Sequence, residues 1–75
     1  MALDLHGTTI HNGWKTFVQE ADDAYYRRVK AFKVITGKGE MLREFPAWAS
    51  NHPRVREAKL NIDGGSYKVV LYKHV

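Results

Sequence analysis

An alternating segment, a long amphipathic segment and a second alternating segment follow one another at the start of this chain. That succession restricts the fold more than any other feature. Leu3-Asp4-Leu5-His6-Gly7 reads as a strand over residues 2–6 running into a glycine turn. Successive strand side chains point to opposite faces, so Leu3 and Leu5 share one side while Asp4 and His6 share the other. Thr9 is a fitting N-cap for a helix from Ile10 to about Arg28. Within it Ile10, Trp14, Phe17, Val18, Ala21, Ala24, Tyr25 and Val29 recur at steps of three and four, the spacing of a buried helical stripe. Arg27, Arg28 and Lys30 stand where positive charge complements the helix C-terminus. Phe32 to Thr36 then reads as a second strand. A strand–helix–strand unit strongly favours a parallel, right-handed crossover. The two strands then end at one edge of the sheet, and His6-Gly7 meets Gly37-Lys38-Gly39 although about thirty residues separate them.

The remainder supplies a second helix from about Met41 to Ser50 with Pro46 inside it, stopped by Asn51-His52-Pro53. A third strand covers Val55 to Ile62, with Ala58, Leu60 and Ile62 on one face. Asp63-Gly64-Gly65-Ser66 is a hairpin-like turn, and a last strand covers Tyr67 to Tyr72. The order is βαβαββ. With both helices on one face, the other face of the sheet stays open, and Asp4, His6, Lys33 and Lys68 point to it. Trp14 and Trp48 read as core, Tyr72 as facing the open side, and His11 and His74 as exposed.

Seventy-five residues make one small domain, here residues 1–75, whether a protein by itself or a piece of a larger one. With no cysteine, disulfides, thiolate metal sites and cysteine nucleophiles are excluded. No apolar run approaches the ~20 residues of a membrane span, and no signal peptide is visible, so the expected location is the cytoplasm, away from membranes. The net charge of +4 fits a polyanionic partner and equally a solvated basic surface. Glu20, Asp22, Asp23 and Glu40 lie on or near the helices, which makes the helix side the less basic one.

Asp4 and His6 are the chemically capable pair. An imidazole can give or take a proton near neutral pH, and a carboxylate can orient it or hold a divalent ion or a water. The simpler reading is a strand end whose Asp4 caps amides of the following turn. Asp4 is the candidate ligand for a magnesium or manganese ion, but the spacing places none of the further candidates, Glu40, His52 and Asp63, beside it. Gly37-Lys38-Gly39 has the physics of a phosphate-binding turn: close backbone approach, amides at a helix start, and one positive charge. It lacks the spacing of a P-loop and equally suits a turn that needs positive φ. Arg43, Arg54, Arg56, Lys59, Lys33 and Lys68 form a candidate basic rim.

Together these segments resemble the Smr domain, the small MutS-related domain. The residues that carry the likeness are Leu3-Asp4-Leu5-His6-Gly7, Ile35-Thr36-Gly37-Lys38-Gly39, Leu42-Arg43, Pro46-Ala47-Trp48, Asn51-His52-Pro53 with Val55, and Gly64-Gly65. The resemblance covers nearly the whole chain. It implies a two-layer α/β sandwich with a mixed four-stranded sheet and two helices on one face. It also implies binding of DNA or RNA and, in many members, endonuclease activity. Carried over by position, Asp4 and His6 fall in the motif tied to catalysis. Thr36, Gly37, Lys38 and Gly39 fall in the motif tied to nucleic-acid binding, and Arg43, Lys33 and Lys68 are the added basic candidates. The chain has Thr36 where many members carry histidine, and Ser66-Tyr67 where a further glycine is usual.

Three functions compete on this sequence: an endonuclease using Asp4 and His6, a DNA- or RNA-binding module without catalysis, and a protein-interaction domain. The first ranks ahead because the Asp-His pair comes with its glycine-turn neighbours. The oligomeric state is left open.

Overall fold

The computed structural model of the chain describes residues 1–74. Its elements are β1 (Ala2–Asp4), α1 (Ile10–Tyr26), β2 (Ala31–Ile35), α2 (Glu40–Asn51), β3 (Val55–Leu60) and β4 (Ser66–Leu71). The sheet runs β1-β2-β4-β3, with β1 parallel to β2 and the other two pairs antiparallel. This is the expected mixed four-stranded sheet in βαβαββ order. Thr9 caps α1 by accepting the Asn12 amide at 3.1 Å. No helix among the described residues is long and apolar enough to cross a membrane.

The core lies between the helices and one face of the sheet. Phe17, Ala21 and Ala24 of α1 and Phe45 and Ala49 of α2 pack over Leu5, Phe32, Val34, Val69 and Leu71. The strands therefore alternate buried and exposed, as one-sided coverage demands. The opposite face carries a row of three lysines in register: Lys33 pairs with Lys68, and Lys68 with Lys59. Like charges directly opposite one another weaken a sheet. Lys33 reaches Asp63 at 3.6 Å, whereas Lys59 and Lys68 have no carboxylate within 4 Å among the described residues.

Three expectations fail in the packing. Trp14 is 43% exposed, because the buried line of α1 runs through Gly13, Phe17, Ala21 and Ala24 and leaves Trp14 beside His11. The third strand stops at Leu60 instead of reaching Ile62, which lies in the turn; at this edge strand Ala58 packs on the core while Leu60 and Ile62 are exposed. His74 is half-buried, its ring set against Tyr25 and Tyr26 at 4.8 and 5.5 Å.

Pro46 sits inside α2 without an amide hydrogen, so the carbonyl of Leu42, four residues earlier, has no helical donor. The buried Tyr67 hydroxyl supplies one, donating to Leu42 O at 2.9 Å. This bond ties β4 to α2 at the proline. Tyr67→Phe leaves the carbonyl unsatisfied and is expected to lower stability by about 1–3 kcal/mol in urea unfolding.

Candidate functional site

The parallel pairing of β1 and β2 sets both strand ends on one edge, and the chain turns there into both helices. Leu5 continues the ladder by donating to Ile35 O at 2.8 Å. Its side chain is buried, which anchors the segment while His6 emerges beyond it. Thr8 closes the turn, its hydroxyl donating to Leu5 O at 2.7 Å. The second loop lies alongside. A Cβ on Gly37 would stand 3.5 Å from the His6 Cβ, and Gly37 has φ +77, a conformation that favours glycine. Between them is an open cleft of about 480 Å3, walled by His6, Gly7, Thr8, Thr36, Gly37 and Gly39. The N-termini of α1 (Ile10) and α2 (Glu40) both reach this cleft, so two positive helix ends face one space. The start of α2 has Gly39 as N-cap and no side-chain cap, which suits an incoming anion, although the Glu40 carboxylate shares the wall.

Asp4 and His6 are held together. The Asp4 Oδ1 lies 2.6 Å from His6 Nδ1 and also accepts the His6 amide at 3.0 Å. The ring hydrogen bond, and then the amide one, hold the Asp4 carboxyl below the usual carboxylate range. Asp4 is thus ionised at neutral pH and can only accept, so a neutral His6 carries its proton on Nδ1 and keeps a lone pair on Nε2. Nε2 has no partner among the described residues. Both readings of Asp4 coexist: one oxygen caps the turn and orients the imidazole.

Thr36 is buried, and its hydroxyl donates to Gly37 O at 2.9 Å. It shapes the turn and offers no free hydroxyl. The amides of Thr36 and Gly37 both donate to Gly65 O, at 3.1 and 3.0 Å. Gly37 therefore contributes close approach and no free donor. The Lys38 stem lies along the Gly64-Gly65 turn, its Cγ 3.5 Å from where a Gly65 Cβ would stand. Lys33 and Lys68 stand on the open face, and Arg43 lies exposed on α2 outside the cleft wall.

The sequence did not single out Thr8 or the Gly65 carbonyl, and it offered Asp63 only as a further metal-ligand candidate, yet all three fix the geometry. Asp63 accepts the Gly65 amide at 2.9 Å and the Ser66 hydroxyl at 2.9 Å from Oδ2. Ser66, in the position where a further glycine is usual, is buried and also accepts from Asn61 Nδ2. Its polar partners, Asn61 and Asp63 just upstream, were the available signal.

His52 is no ligand. It is buried, its Nδ1 accepts the Arg54 amide at 3.0 Å, and its Nε2 lies 3.4 Å from Val18 O and 3.3 Å from Asp22. It ties α1 to the end of α2. No group of three His, Asp or Glu side chains able to hold a metal exists among the described residues. A divalent ion here would rest on one carboxylate and on phosphates arriving with the nucleic acid, an arrangement magnesium commonly adopts.

The Gly65 amide, the Ser66 hydroxyl and Lys33 hold the Asp63 carboxyl low as well. Folded Asp4 and Asp63 bind protons less readily than in the unfolded chain. Their stabilisation is therefore complete above the unfolded value of about 3.9 and is lost as pH falls through the folded values. The urea midpoint is expected to drop below about pH 4, less steeply in Asp63→Asn.

Comparison with known proteins agrees with this fold. The family model described as the Smr domain matches residues 3–72. The chain is similar to the crystal structure of the Smr domain of Thermus thermophilus MutS2. The TM-score is 0.87 at 18% identity, over 95% of this chain and 96% of that one. A search of curated proteins finds no match. The match to the family model spans nearly all of the sequence, and the chain belongs to the Smr domain family, one associated with nucleic-acid binding and nuclease activity.

Proposed function

We propose that this domain grips DNA or RNA by its phosphates and cleaves the phosphodiester backbone at Asp4 and His6. One observation carries the reading: an imidazole oriented through Nδ1 by an ionised carboxylate, with its Nε2 unpartnered on a cleft that two helix N-termini share. In this reading Nε2 takes the proton of the attacking hydroxyl, from water or from a ribose 2′-hydroxyl, as that oxygen bonds to phosphorus. The opposite P–O bond breaks, and the leaving oxygen takes its proton from solvent water. Asp4 stabilises the imidazolium that forms. Lys38 and the uncapped start of α2 hold the phosphate, and Gly37 and Gly39 let the backbone come close. Lys33 and Lys68 supply contacts on the open face without reading bases.

A grip without cleavage is the alternative, favoured by the single imidazole at the cleft and by the engaged Thr36 hydroxyl, which leave the leaving oxygen no evident proton donor among the described residues. Nicking of supercoiled plasmid and cleavage of RNA, each with and without magnesium or manganese, decides between them. The wild type is expected to cut and the Asp4→Ala/His6→Ala variant to bind without cutting. Binding without cutting by the wild type selects the alternative, and cutting by the double variant removes these residues from the reaction.

A further inference from the structure

At the end of the sheet opposite the Asp4/His6 cleft lies a second and larger one, of about 610 Å3. Four basic residues from three parts of the chain converge on it: Arg28 and Lys30 after α1, Arg56 from β3, and Lys73 after β4. Val29, Val70 and Leu71 form its apolar part, and Tyr72, 52% exposed, stands on its wall. No acidic side chain among the described residues lines it. Arg56 lies 3.7 Å from Glu57, while Arg28, Lys30 and Lys73 have no carboxylate within 4 Å among the described residues.

Arg28 carries a second observation. The Val29 amide donates to Ala24 O at 2.9 Å and the Arg28 amide to Tyr25 O at 3.1 Å, the bond pair of a Schellman cap. The residue at the turning point of that cap is left-handed and usually glycine. Here it is Arg28, with φ +63. The chain holds an arginine in a backbone conformation that costs stability, with its side chain on the cleft. Complementing the α1 dipole would not require this, since Arg27 already stands at the helix end, paired with Asp23 at 2.8 Å.

We propose that this cleft is a second phosphate-binding site. A nucleic-acid strand then runs over the open face from it, across the Lys33–Lys68–Lys59 row, to the Asp4/His6 cleft. The inference rests on the nucleic-acid reading above and adds the path and footprint of the strand. From Ser66 to Tyr72 the path follows β4 for roughly 20 Å, at ~3.3 Å per residue. That is about six nucleotides of a stacked strand at 3.4 Å each. Stems of the lysines and the Tyr72 ring give bases a flat surface to lie on, and the basic groups track the backbone.

The test is binding of a fluorescent dodecanucleotide, as DNA and as RNA, by anisotropy across a salt series, together with thermal melting. Arg28→Gly is expected to melt higher than the wild type yet bind about tenfold more weakly, with a salt slope shallower by about 0.7–0.9 per lost phosphate contact. Lys30→Gln/Lys73→Gln is expected to weaken binding further. Lys15→Gln, which removes the same charge from the helix side, is expected to stay within about twofold, so that a general charge effect is separated from a local one. Wild-type affinity in Arg28→Gly and Lys30→Gln/Lys73→Gln, beside weakened binding by Lys38→Glu, overturns this inference and leaves the nucleic-acid reading standing. No binding by the wild type at low salt overturns both.

Discussion

Phe45→Ala is expected to lower the melting temperature by more than about 12 °C and to leave much of the chain unfolded at physiological temperature. Phe45 is fully buried and joins both layers of the sandwich. Its ring meets Phe17 edge-on at 4.8 Å, stacks on Tyr67 at 4.8 Å and touches Trp48 at 5.9 Å. Truncating a buried phenylalanine costs about 3–5 kcal/mol, because the cavity adds to the lost transfer energy. A domain of this size has only about 4–11 kcal/mol in total. Tyr67 is the same residue that satisfies the carbonyl freed by Pro46, so the cavity also loosens the hydroxyl that ties β4 to α2. A melt within a few degrees of wild type, followed by far-ultraviolet circular dichroism, would show that the core does not centre on this ring.

His6→Ala is expected to slow cleavage by about 100- to 10,000-fold, the usual contribution of a positioned acid–base group. The fold should survive, since the ring is exposed and its pairing with Asp4 adds little stability at the surface. Binding should also survive, because the proposed reading assigns the phosphate grip to Lys38, the α2 start and the open face rather than to His6. Asp4→Asn is expected to lose less. Asparagine keeps an oxygen for the Nδ1 proton but removes the charge that stabilises the imidazolium. If Asp4 serves only as a cap, cleavage in Asp4→Asn should fall no further than its small loss of stability explains. Single-turnover rates on a bound oligonucleotide separate these outcomes.

Much of this architecture was legible in the sequence because amphipathic periods dictate it. Leu3 and Leu5 against Asp4 and His6, the α1 stripe and the alternation of β4 place the layers. The crossover then brings the Gly37 turn beside His6. What the sequence concealed depends on contacts between distant residues. The engaged amides of Thr36 and Gly37 follow from Gly65, nearly thirty residues on, and no local pattern shows it. Pro46 reads as a defect in α2 until Tyr67 is seen to answer it. Trp14 fits a helical stripe as well as Phe17 does, and only the path of α2 and the sheet decides which of them is covered. His52 looked like a spare ligand, but its two ring nitrogens already have protein partners.

The most direct test of the central claim compares wild type and His6→Ala on one labelled oligonucleotide at protein concentrations that saturate binding for both. Affinities are expected to agree within about threefold, with a bound-state cleavage rate at least 100-fold lower in the variant. Equal cleavage rates, or affinity and cleavage falling in parallel, would contradict the claim.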